Sequence, residues 1–194
     1  MHNRDLRHAV AMVALANMGY FFVEFAMARH IGSVSLFADS VDFLEDAAVN
    51  LLAFFALAWS ARRRARVGMG LALLLLVPGI ATAWTAWQKL AAPVAPEPLL
   101  LSLTGLGALA VNVSCALLLA RFRNRSGSLT RAAFLSARND ALANVAVMAA
   151  AAVTLAWPSG WPDIIVGVAI AIMNADAAKK VWLAARREEQ KARA

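Results

Sequence analysis

The chain has 194 residues, 61% of them hydrophobic, with a formal net charge of +7. Its mean hydropathy of +0.63 lies outside the range of ordinary soluble domains and reads as an integral membrane protein. The 19 lysines and arginines sit in short clusters between apolar runs, not in a stripe with interleaved aromatics, so they argue against nucleic acid as a partner and for a lipid bilayer with anionic headgroups.

Six apolar segments follow in order, at about 8–28, 34–60, 67–90, 98–120, 130–156 and 161–183. Each is near the roughly 20 residues a helix needs to cross the hydrocarbon core. Strand-like alternation is missing, and backbone amides in lipid must bond within their own segment, so the fold class is all-α: a six-helix transmembrane bundle. The first segment lacks a small-residue cleavage site and carries Glu24, so it is expected to stay in the mature chain. It also holds Asn17, two turns before Glu24 on the same face. The second segment contains SVSLFADSVDFLEDAAVN, with Asp39, Asp42, Glu45 and Asp46. An ionised carboxylate at a helix centre costs roughly 2.5–3.5 kcal/mol on insertion scales, so four of them mark a site facing protein or water rather than lipid.

The fourth segment carries Asn112 and the single cysteine, Cys115, which excludes an intrachain disulfide and a Cys-based zinc cluster. The links 91–98 and 157–163 are short and proline-rich, and 124–129 (NRSGSL) is the only flexible-looking interior stretch. In the last link, Asp163 is placed to cap the sixth helix. Residues 1–194 thus read as a single transmembrane domain. The charged tail after Ala185 is expected to be too short to fold alone, with no soluble domain after it.

Topology follows from the basic residues. With the amino terminus inside, sixteen lysines and arginines fall in inside segments, among them Arg62, Arg63, Arg64, Arg66, Arg121 and Arg123, whereas the outside loops hold only Arg29 and Lys89. That asymmetry places both termini in the cytoplasm, in a multi-pass protein of the cytoplasmic membrane.

On the second helix Asp42, Asp46 and Asn50 recur every four residues, which aligns them along one face. The fifth helix repeats the spacing with Ser136, Asp140 and Asn144 in LSARNDALANV. Packed together, such faces can surround a divalent cation whose charge offsets the carboxylates' desolvation and mutual repulsion. Protons can take its place on the same oxygens, which is the physical basis of exchange. Glu45 lies about 100° round the helix from Asp46 and is expected to pair with a neighbouring helix, near Arg138. Asp39 is expected to act as a cap near the helix start. Asn17, Glu24 and Asn112 are expected to hydrogen-bond across the bundle.

ADSVDFLEDA resembles the second helix of the cation diffusion facilitators, A-D-x-x-[HD]-x-x-x-D, and LSARNDALANV resembles their fifth, [HD]-x-x-x-D-A-L. NMGYFFVEF, VNVSCALLL and WPDIIVGVAIAI extend the likeness over six helices. The resemblance implies a metal site of Asp42, Asp46, Asp140 and Ser136, with Asn50, Asn139 or water completing the shell. It also implies cation efflux by proton antiport and a homodimer formed through membrane helices. Ser136 departs from the histidine usual in zinc carriers and the aspartate associated with manganese. Three strong oxygen donors and no nitrogen favour harder, less discriminating binding, so zinc, cobalt, iron, manganese and cadmium stay open. The family's cytoplasmic domain, its histidine-rich loop and its aromatic-glycine link are not seen in the chain.

Neither a resident cofactor nor an enzyme's nucleophile with a partnered histidine is implied. Two other readings stay open: transport of another cationic substrate, and a non-transporting scaffold or sensor that uses the polar faces for assembly.

Overall fold

The computed structural model describes residues 2–56, 61–121 and 127–191, which are all-helical. The helices are α1 (His2–Ile31), α2 (Val34–Ala56), α3 (Ala61–Ala91), α4 (Pro98–Ala120), α5 (Gly127–Ala156) and α6 (Trp161–Lys191). By length and composition Asp5–Ile31, Pro98–Ala120 and Ala137–Ala156 qualify as membrane spans. The basic cluster at 62–66 opens α3, whereas 122–126, shared by the cluster at 121–131 and the turn at 124–129, lie outside the described residues. α6 runs past its expected end at 183 and absorbs the tail as far as Lys191. Its last residues, AARREEQK, are strong helix formers that extend an existing helix without a new nucleus.

Local chemistry sets the helix ends. Gly32 has φ 64°, and the Ser33 amide donates to the Ala28 carbonyl at 3.0 Å, closing α1 as glycine typically closes a helix. Ser33 Oγ then accepts from the Leu36 amide at 3.1 Å and opens α2. α4 starts at Pro98, after Glu97 accepts from the Leu99 and Leu100 amides, a start that needs no proline N–H. Across the bundle, the Gly160 amide donates to the Pro93 carbonyl at 2.9 Å, so the links after α3 and α5 meet at one end of the bundle. The link after α1 joins them there, because Lys89 Nζ donates to the Gly32 carbonyl at 2.6 Å.

Asp163 does not serve the helix it begins. It accepts from the Val34 amide at 2.8 Å, the Ser35 amide at 3.1 Å, Ser33 Oγ at 2.6 Å and Ser35 Oγ at 2.7 Å. The expected cap of α6 is therefore a cap of α2, because α6 packs against α2 closely enough to reach its free amides. Gly167 permits that approach: a Cβ there would lie 2.7 Å from the Val34 carbonyl carbon. The capping role expected of Asp39 falls to Ser33 and Asp163, and Asp39 lies within α2 with no exposure.

α2 is the centre of the molecule. It touches each of the other five helices, and no residue from Ser33 to Asn50 is exposed. The other five present large apolar side chains outward, among them Leu15, Ile80, Leu117, Leu155 and Ile172. The main core cluster joins Ala28 of α1, Leu36 and Phe37 of α2, Leu101 of α4, Val147 of α5 and Ile170 of α6. A carboxylate on α2 consequently meets protein on every side, which is what makes four of them tolerable.

Candidate functional site

α2 and α5 lie side by side, and their polar faces meet. Asn144 Nδ2 donates to Asp39 Oδ2. One turn away, Asp42 follows Asp39 on α2 and Asp140 precedes Asn144 on α5, near enough for their charges to act on each other. Both carboxyl groups are half-buried, while Asp46 and Glu45 are buried. The structure thus brings Asp42 and Asp140 together from two helices, with Asp46 one turn along α2. Ser136 belongs to α5 one turn before Asp140, and its side chain lies outside the described residues.

Two proposed completions of the shell point elsewhere. Asn50 Nδ2 donates to the Asp46 carbonyl of its own helix at 2.8 Å. Asn139 is exposed and lines a groove between α5 and α6 with Leu142, Ile165 and Met173. Among the described residues no group of three or more His, Cys, Asp or Glu side chains is already arranged to hold a metal ion.

Among the described interactions Arg138 pairs with none of the carboxylates. It is exposed and reaches Asn139 Oδ1 at 3.4 Å, so the expected Glu45–Arg138 pair is corrected.

The amides form a second layer. Asn112 Nδ2 donates to Asn144 Oδ1 at 3.0 Å, which fixes the Asn144 amide with its NH2 towards Asp39. Asn112 was expected to reach Asn17 and Glu24 on α1, but it bonds to α5 instead. Asn17 Oδ1 faces Cys115 Sγ at 3.9 Å. Cys115 is a buried free thiol packed with Val13, Leu119 and Ala137. Spacing along one helix showed which residues share a face; it did not show which neighbour that face meets. Lys89, read from the sequence only as a loop residue, proves to be Asp163's ion-pair partner.

A family model described as the cation efflux transmembrane domain matches residues 10–181. Comparison with curated proteins finds no match.

Proposed function

The chain belongs to the cation efflux family, and from that membership we propose that it carries a divalent metal ion out of the cytoplasm in exchange for protons. It is a membrane-embedded cation transporter and not an enzyme. The observation that carries the finer reading is the meeting of Asp42 and Asp140 across α2 and α5, on the one helix shielded from lipid by five others. Asp42, Asp46 and Asp140 supply hard oxygen donors, and the Ser136 hydroxyl is a weak neutral fourth. Binding a dication offsets the repulsion among these carboxylates, and protonation offsets it equally well. Each ligand state therefore excludes the other. Alternating exposure of the carboxylates to the two sides of the membrane then couples metal and proton flow.

Both termini belong in the cytoplasm on this reading, supported by the sixteen-to-two distribution of basic residues and by the three links gathered at the opposite end. The membrane is the cytoplasmic one, and the protein works as a homodimer paired through its helices.

The test is flux into proteoliposomes under an imposed pH gradient, with zinc, cobalt, manganese, iron and cadmium supplied in turn. At least one ion should move faster with the gradient than without it, and Asp42→Asn or Asp140→Asn should stop it. If calorimetry finds no binding of any of these ions and Asp46→Ala changes nothing, the metal reading fails. Movement of an organic cation alone would favour the other substrate class. A chain that moves neither would be a scaffold or sensor.

A further inference from the structure

Glu24 and Asp39 stand apart from the proposed cation ligands and pose a separate chemical problem. Glu24 projects from α1 and Asp39 from α2, and neither has any exposure. Their carboxyl groups lie within hydrogen-bonding reach of each other. Ionised carboxylates only accept hydrogen bonds. Yet both Glu24 oxygens and Asp39 Oδ1 lack a donor among the described residues. Asn144 supplies the other Asp39 oxygen and has no second NH2 to offer Glu24.

Among the described residues the surroundings provide no compensating charge. On α1 the one titratable neighbour is Tyr20, which feels both Glu24 and Asp39, but its hydroxyl donates to the Thr104 carbonyl at 2.6 Å. On α2 the charged neighbour is Asp42. α4 and α5 present the neutral amides Asn112 and Asn144. From α3 and α6 no charged group acts on the pair among the described interactions. Two adjoining carboxylates, both ionised and dry, with no cation beside them, are not a tenable arrangement. A proton between them supplies the missing donor: the O–H of one acid bonds to the oxygen of the other, as in paired acids elsewhere.

We propose that Glu24 and Asp39 form a buried acid pair that binds one shared proton, separate from the cation ligands, and that this proton is exchanged once per transport cycle. The exchange rests on the antiport reading; the binding of the proton does not. Coupling has a direct route. Asp39 is one turn from Asp42 on α2, and its bonded partner Asn144 is one turn from Asp140 on α5. A dication between Asp42 and Asp140 places positive charge beside the pair and favours the proton's departure. When the cation leaves, the pair binds a proton again.

Glu24→Gln is the informative variant, because a glutamine NH2 stands where the proton would and keeps the bond to Asp39 in a folded chain. Asp39→Asn is its counterpart from the other side. In purified full-length protein, infrared difference spectra should show the carbonyl stretch of a protonated carboxylic acid. That band should disappear in both variants and persist in Asp42→Asn. A band that is absent from the unmodified chain, or that survives both substitutions, overturns the acid pair. Calorimetry of zinc or manganese binding in buffers of different ionisation enthalpy counts the protons released. Both variants should bind the ion within about threefold of the unmodified chain and release one proton fewer. An unchanged proton count overturns the exchange step. If the unmodified chain binds no cation, the transport reading falls, and the infrared band alone decides the acid pair.

Discussion

Lys89 Nζ lies 2.9 Å from Asp163 Oδ2, joining the end of α3 to the start of α6. Asp163 is fully buried and Lys89 nearly so, and the same aspartate holds the first two amides of α2. Three helices are thus tied through one carboxylate. Burial disfavours the charge on Asp163, and the lysine with the serine and amide donors compensates for it.

Removing that carboxylate should be more damaging than removing its counter-ion. Asp163→Ala strands Lys89 and leaves the start of α2 without its partners, a loss of about 3–5 kcal/mol. Lys89→Met leaves Asp163 with four donors and costs about 1.5–3 kcal/mol. Thermal unfolding in detergent should rank the two variants in that order, and the reverse ranking would remove Asp163 as the organiser of this end.

Substituting one of the proposed cation ligands should leave the fold alone. Asp42→Asn takes one member from a set of mutually repelling carboxylates, so its unfolding temperature should not fall below that of the unmodified chain. Cation affinity should drop at least about 100-fold, the upper end of what losing a ligand's supporting group costs. Asp140→Asn should behave alike. A variant that loses binding together with its melting transition would mark these residues as structural.

Cation binding should weaken as pH falls. Binding requires deprotonated carboxylates, so each proton displaced per ion lowers the apparent affinity by about tenfold for every unit of falling pH, over the range where those groups titrate. The slope of log affinity against pH should be positive and shallower in Asp42→Asn, as calorimetry across a pH series would show. A flat profile in the unmodified chain would separate metal from proton and leave a uniporter.

Gly167 carries the contact between α6 and α2. A Cβ at this position would lie 2.7 Å from backbone of Val34 and 2.8 Å from the Ser35 amide nitrogen. Neither neighbour is the movable tip of a side chain. Gly167→Ala should therefore cost about 1–3 kcal/mol through forced separation of the helices, despite alanine's better helix propensity. A stabilised Gly167→Ala protein would contradict the packing described for this crossing.

Much of the architecture was legible in the sequence because it depends on local chemistry. The bounds of α4, Pro98–Ala120, coincide with the apolar run between a proline-rich link and a basic cluster. The facing aspartates on α2 and α5 followed from four-residue spacing, and Asp42 meets Asp140. Partner choice was less legible. Asp163 caps α2 rather than α6, Asn112 bonds to Asn144 rather than to α1, and Arg138 leaves the acidic face altogether. Each depends on how one helix is rotated against another, and spacing within a helix carries no information about that angle. The Glu24–Asp39 contact belongs to the same class: both residues were marked, and neither helix alone indicated that they meet.

The enclosure of α2 also bears on how the protein is made. Made before α4, α5 and α6, it carries Asp39, Asp42, Glu45 and Asp46 into a bilayer before those helices exist to surround it. Alone in lipid its four carboxylates would be costly. α1 brings Glu24 to Asp39 at once, but the donor for Asp39 arrives only with Asn144, and the amides that open α2 wait for Asp163. The order of translation therefore leaves α2 without part of its packing and hydrogen bonding until α5 and α6 have been made.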